Sequence, residues 1–236
     1  MDKSAKHLTQ ELLERFQRNL KARNKRKTTR GRRRFEIHAT DIKKLCLRQF
    51  LILYSLGVPY QSEHKAHPEI TLLTFEIGHA LEDIGLDLLE AVKPAPMALK
   101  IRDIYLIGSP DGCVRIDGKS YLLECKSIKK EDYQLLEKPL ADHELQLGFY
   151  LWLDSKRKER IYEEIAFFLY IPKQQVSPLI KIFPYTLYPS NRKLFDSIVS
   201  SIRLFLKKGV LPERVCVSPN ASLARNCPVV EVCFKE

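Results

Sequence analysis

Ile107-Gly108-Ser109-Pro110-Asp111-Gly112, followed by Leu122-Leu123-Glu124-Cys125-Lys126, is the stretch on which the reading of this chain turns. Between its halves lies Asp117-Gly118, a dipeptide suited to a two-residue type I′ hairpin turn, in which both central residues need positive φ. With the turn at 117–118, directly opposed residues have numbers that sum to 235, and Asp111 and Glu124 satisfy that sum. Their Cβ atoms are then expected roughly 4.5–5.5 Å apart. Lys126, two residues beyond Glu124, falls on the same face of the strand. Two facing carboxylates repel, so the pairing calls for a cation between them. Hard oxygen ligands suit magnesium or manganese, with Lys126 close enough to orient or activate a water. The alternative is a solvated hairpin face. Leu122, Leu123, Ile104 and Ile107 count against it, because strands this apolar are buried ones.

Working outward, the strands are expected at 98–107, 112–116 and 120–127, with two more at 164–171 and 179–183. Before them, Leu8, Leu12, Leu13, Phe16 and Leu20 mark an amphipathic helix over 5–25. A second helix is read from Thr40-Asp41 to Gly57, containing Cys46. The segment between 60 and 70 reads as a loop, with His64 and His67 as exposed loop residues. A third helix covers 71–91, on which Phe75, Gly78, Glu82, Gly85 and Leu89 form one stripe. Its small residues predict close approach to a sheet, and Glu82 stands among them. His79 is a weaker candidate, read as lying on another face. Further helices are expected over 142–155, where Gln146 and Tyr150 share a face, and over 191–208, closed by Gly209 and Pro212. Trp152 and Phe149 are read as core rather than as a stacking platform for bases.

The 236 residues are 44% hydrophobic, enough for one sizeable core with a helical annex. No apolar run approaches the ~20 residues that span a bilayer, and no signal-peptide core is seen. A soluble, intracellular protein is expected: cytoplasmic, or in the host cytoplasm if viral. The net charge of +11 is uneven: residues 1–34 carry 13 Lys/Arg against 3 Asp/Glu, a net of +10, which leaves +1 for 35–236. The cluster at 25–34 suits a polyanion, nucleic acid ahead of a membrane because no apolar face accompanies it; a solubilising tail is the other reading. Six cysteines without a secretory signal argue against a disulfide framework. Cys46 near one end and Cys216, Cys227 and Cys233 near the other could hold an iron–sulfur cluster or zinc, or remain unligated. Cys113 and Cys125 alternate with apolar residues and read as core thiols.

Pro110-Asp111 with Glu124-Cys125-Lys126 resembles the PD-(D/E)XK nuclease superfamily. Within it the chain looks most like the RecB-type branch, which includes the CRISPR-associated Cas-four nucleases, the AddB nuclease domain and viral recombination exonucleases. The likeness covers about residues 40–235. Gly78 through Glu82 resembles the family's first motif, with Glu82 in the ligand position where many members have histidine. Gln146 and Tyr150 resemble its QxxxY motif, whose side chains position the DNA backbone and active-site groups. The resemblance implies an α/β fold with a restriction-endonuclease-like core, a central mixed sheet flanked by helices, preceded by a helical annex at 1–34 and ending in a cysteine-bearing segment within 35–236. It implies Asp111, Glu124, Lys126, Gln146 and Tyr150 as catalytic residues, and Glu82, Asp111, Glu124 and the Cys125 carbonyl around magnesium or manganese. The cysteine placement resembles members with a 4Fe-4S cluster, and Cys227-Pro228 to Cys233 fits their closing spacing. Where they have another cysteine three positions before Cys227, this chain has Ala224, so Cys216 fills the fourth place. The implied activity is a metal-dependent exonuclease on DNA ends or single strands in recombination, repair or CRISPR adaptation, with proteins of those pathways as partners. The rival is a DNA-binding iron–sulfur subunit of a larger nuclease or integration complex, with little activity of its own.

Overall fold

The computed structural model describes residues 14, 15, 18, 19, 22, 35–60, 69–174, 176 and 179–235. The basic cluster at 25–34, most of the helix expected over 5–25, and His64 and His67 lie outside the described residues. The elements are β1 (Glu36–His38), a 3-10 turn (Ala39–Lys44), α1 (Leu47–Ser55), α2 (Glu69–Leu88), β2 (Met97–Ile101), β3 (Ile104–Gly108), β4 (Gly112–Ile116) and β5 (Lys119–Ile128). They continue with α3 (Lys130–Gln134), α4 (Ala141–Ser155), β6 (Ile165–Pro172), β7 (Lys181–Thr186), α5 (Pro189–Lys208) and α6 (Val230–Lys235). The expected α/β architecture is present, with the strands divided between two mixed sheets, β1-β3-β2 and β4-β5-β6-β7.

Asp117 and Gly118 both have positive φ, 50° and 77°, and the register they impose runs Gly112↔Leu123 through Ile116↔Lys119. Chain direction is restored by α3 and α4, which cross over to β6, parallel to β5, with Glu124 beside Phe168 and Lys126 beside Tyr170. The side-chain period of two then sorts the faces. Cys125, Leu169 and Ile171 point toward Leu81 and Leu86 of α2 and Leu89 just after it. Leu122, Phe168 and Tyr170 join the main core with Leu147, Tyr150, Phe149, Trp152 and Phe195. Trp152 and Phe149 are fully buried and stacked at 5.4 Å, so they are core.

The α2 stripe approaches the sheet as closely as its glycines suggest. A methyl group at Gly78 would stand 2.7 Å from Ser127 Oγ, and one at Gly85 would collide with Ile171 Cδ1. At the far end, α5 closes on Gly209 at φ 71°, whose N–H donates to the Phe205 carbonyl at 2.7 Å.

Three local expectations change. The strand read over 98–107 is a hairpin, β2 and β3, reversed at Arg102, which adopts φ 55°. Tertiary contacts hold that turn: Arg102 Nη1 donates to the Leu206 carbonyl at 3.1 Å and Tyr54 Oη to Asp103 Oδ1 at 2.7 Å. The helix read from Thr40 to Gly57 is broken at Leu45 and Cys46, both extended, because the Asp41 carboxylate reaches back to the His38 N–H and closes a tight 3-10 turn. Cys46 is therefore the N-cap of α1 rather than an interior residue. The short α3 and α6 and the strand β1 carry too little periodicity to be read from sequence. No described helix is long and apolar enough to cross a membrane.

Candidate active site

Two carboxylates are wholly buried, Glu124 and Asp154, and they are treated in opposite ways. Asp154 accepts the N–H groups of Ile161 at 3.4 Å and Tyr162 at 3.1 Å, and Arg157 and Arg160 stand within 3.7 Å. It is a saturated structural charge, holding the loop after α4. Glu124, central in β5 and covered by α4, has neither oxygen in a well-formed hydrogen bond. Its counter-charge is Lys126 Nζ, set against Oε1. Burial pushes the Glu124 carboxyl up, Asp111 adds to the rise and Lys126 opposes it. Lys126 is pulled down by burial, but Glu124 and Asp111 outweigh that and hold it above its ordinary value, so it stays an ammonium.

Asp111 sits at the bend just before β4. Its Oδ2 accepts the Cys125 N–H at 3.0 Å and lies 4.0 Å from Lys126 Nζ. Asp111, Glu124 and Lys126 thus meet around one ammonium, two contributed by adjacent turns of β5's pleat and one by the strand opposite. The Cys125 thiol faces the other way, into the α2 core, where burial first and then Glu82 and Asp111 push it up, so only the backbone of Cys125 is available to the site.

Glu82 comes from that other side of the sheet. Its Oε1 accepts the Ser127 N–H at 3.0 Å and the Ser127 hydroxyl at 3.1 Å, and its Oε2 lies 3.5 Å from His79 Nδ1. Ser127 is a partner that sequence reading passed over, although the strand period places it toward α2. His79 also differs from expectation, since it stands one turn from Glu82 and shares its side. On α4, Gln146 Nε2 donates to Tyr150 Oη at 2.8 Å. Burial and then the charge of Glu124 raise the Tyr150 hydroxyl well above its usual value, which keeps it a donor.

Among the described residues, no three His, Cys, Asp or Glu side chains converge closely enough to hold a single metal ion. The chemistry of the Asp111–Glu124 pair nevertheless fits a hard cation: Glu124 offers two buried oxygens, of which Oε1 faces the Lys126 ammonium, and Asp111 has one carboxylate oxygen beyond that bound to Cys125.

The four cysteines from the chain's two ends line one cavity, together with Arg48, Arg214 and the buried Ala224. Arg48 Nε donates to Cys233 Sγ at 3.3 Å and its Nη1 to the Pro212 carbonyl at 2.8 Å. Burial raises the Cys227 thiol, and the charges of Cys46, Cys233 and Cys216 add to that. No three of these thiols stand close enough together to hold one metal ion. Cys113 lies on β4, away from this cavity.

No protein-family model matches the chain, and no curated protein matches it. Similar solved structures include the crystal structure of SSO0001, at TM-score 0.49 and 18% identity over 81% of this chain and 87% of that one. Another is an alkaline exonuclease from Laribacter hongkongensis, at TM-score 0.44 and 11% identity over 75% of this chain and 94% of that one. The same exonuclease in complex with dAMP gives TM-score 0.45 and 13% identity over 75% and 88%.

Proposed function

We propose that this chain is a divalent-metal-dependent deoxyribonuclease, hydrolysing phosphodiester bonds at DNA ends or in single strands, of the RecB-type PD-(D/E)XK kind. The observation that carries the reading is Glu124, a fully buried carboxyl close to Asp111 whose counter-charge is Lys126. Full burial against a single ammonium leaves the charged form of this carboxyl disfavoured. A cation at that place removes the penalty. Asp111 and Glu124 would hold magnesium or manganese, with the Cys125 carbonyl and Glu82 as the remaining oxygen donors. The ion supplies Lewis acidity at a phosphoryl oxygen and makes water a better nucleophile.

The protein's own groups do the rest. Lys126, held above its ordinary value by Glu124 and Asp111, would orient the water and face the phosphate's charge. Tyr150, fixed by Gln146, turns its O–H toward the same pocket as a positioning donor. Cys46, Cys216, Cys227 and Cys233 would hold a 4Fe-4S cluster in a structural role, tying α1 to the C-terminal segment; their common cavity and the Arg48 bond to Cys233 support it. The arm at 25–34 would add phosphate contacts, and the biological setting would be recombination, repair or CRISPR adaptation.

The test is cleavage of end-labelled DNA by the purified chain with magnesium or manganese. Activity should appear with either metal and fall at least about a hundredfold in Asp111→Ala and Glu124→Ala, with DNA binding largely kept, because binding rests on cationic contacts. Full activity in either variant rejects the site.

A further inference from the structure

His143 stands one turn before Gln146, so His143, Gln146 and Tyr150 share the stripe of α4 turned to the Glu124–Lys126 face of the sheet. Its Nδ1 lies 2.9 Å from Tyr170 Oη, and the two rings stack with centroids 5.7 Å apart. The same hydroxyl accepts the Leu140 N–H at 3.1 Å. A backbone N–H cannot accept, so the single proton of Tyr170 is available to Nδ1. With Nδ1 an acceptor, the neutral imidazole carries its proton on Nε2. Tyr170 is well placed to enforce this. It is fully buried, it is the registered neighbour of Lys126, and burial keeps its hydroxyl protonated, pushed up to about 12. Burial, then Lys126 and Lys43, push His143 down to about 4, with Asp142 opposing, so the ring is neutral.

The Nε2–H is different. No described residue partners it, and it is not among the buried polar atoms that lack a partner, so it is open to solvent. The site thus presents a directional, uncharged donor beside two ion pairs, Lys126 with Glu124 and Lys43 with Asp142, on the helix face that looks onto the carboxylates. A solvent-facing N–H suits an anionic oxygen, and in a nucleic acid those oxygens belong to the phosphates.

We propose that His143 is a further substrate-contacting residue: its Nε2–H donates to a non-bridging phosphate oxygen of the bound strand, and Tyr170 is the positioning residue that fixes the tautomer. This rests on the nuclease reading above. A histidine that merely fills space over Tyr170 would make no such contact.

The experiment joins a spectroscopic readout to a kinetic one. In long-range 1H–15N spectra of the full chain at neutral pH, His143 should show the Nε2–H tautomer, and a mixture of tautomers in Tyr170→Phe. Adding a single-stranded oligonucleotide without divalent metal should shift the His143 signals. With metal, His143→Ala should lower kcat/KM roughly ten- to a hundredfold, the loss of a hydrogen bond to a charged group, and His143→Gln, whose amide can reach the same place, should recover part of it. On substrates carrying one neutral methylphosphonate, wild type should show a penalty at one linkage that His143→Ala lacks. Identical penalty profiles in the two proteins, or His143 signals that do not move with the oligonucleotide, overturn the proposal. Melting curves identify a variant that fails to fold, in which case His143→Gln carries the kinetic arm. Wild type that cleaves no DNA defeats the nuclease reading, while the oligonucleotide titration still decides the phosphate contact.

Discussion

Asp111, Glu124 and Lys126 are brought together by two strands and a two-residue turn, whereas Cys46 meets Cys216, Cys227 and Cys233 only through closure of nearly the whole chain. The first site is built on a ladder whose register is fixed by backbone hydrogen bonds. The second is carried by a helix cap, a loop after α5 and the short α6. Its stability has to come from whatever occupies it and from contacts such as Arg48 to Cys233. The hairpin is therefore expected to keep its shape without a ligand, and the cysteine joint to depend on one.

Replacing Cys227 or Cys233 by Ser tests the joint and should have the largest effect on stability. If they hold the proposed cluster, iron should be lost and the melting temperature should fall by roughly 10 °C, since each kcal/mol is worth about 2–4 °C in a chain of this size and such a cluster would close a very long loop. Activity should fall with it. Cys113→Ser should keep both iron and melting temperature. Cys216→Ser sharpens the comparison, because Cys216 shares the cavity with Ala224, which stands at the spacing the fourth ligand would otherwise occupy. A full iron complement in Cys216→Ser removes it from the ligand set.

The same comparison explains which parts of the molecule could be read in advance. The 117–118 turn is local chemistry, so the opposed numbers summing to 235 carried straight through to the ladder. Gly78 and Gly85 signalled a helix pressed on a sheet, and it is. Arg102 gave no such signal, because its left-handed backbone is imposed by Leu206 and by the Tyr54–Asp103 bond, far away in sequence. Tyr170 and Ser127 were equally silent. Each acts through a partner that only the β5–β6 pairing and the α2 packing bring near. The carboxylates were legible as types and as neighbours, but Glu82's engagement with Ser127 was not.

Glu124 provides the next test, because a fully buried carboxyl leaves a mark on stability. Its folded value is raised, to about 8 from 4.5. A group raised on folding contributes most below its unfolded value and loses that contribution as pH rises through its folded value. Metal-free protein should thus lose several degrees of melting temperature between about pH 4.5 and 8, relative to Glu124→Gln followed over the same range. Magnesium or manganese should flatten the wild-type curve. Parallel curves for the two proteins without metal would mean that Lys126 offsets the burial of Glu124 in full.

The basic cluster at 25–34 is judged by salt rather than by heat. Removing residues 1–34 should weaken DNA binding and make it less dependent on salt concentration, since fewer counterions are released. Cleavage chemistry at saturating DNA should be unchanged. An unaltered slope would return the cluster to the role of a solubilising tail.

The smallest effects come from the two hairpin turns, and they bring the contrast between local and distant control down to single residues. Gly118 has φ 77° and nothing within 4 Å of where a Cβ would be, so Gly118→Ala adds only backbone strain. It should cost about 1 kcal/mol, or roughly 2–4 °C in melting temperature, with the active site intact because the ladder beyond Ile116 and Lys119 still fixes the register. Arg102, at φ 55°, is the reverse case, a side chain tolerated where glycine would be easier. Arg102→Gly relieves that strain but gives up the bond to the Leu206 carbonyl, two terms of about 1 kcal/mol each and opposite sign. Its melting temperature should stay within about 2 °C of wild type. A loss as large as that in Gly118→Ala would mean that the bond to the Leu206 carbonyl outweighs the strain at Arg102.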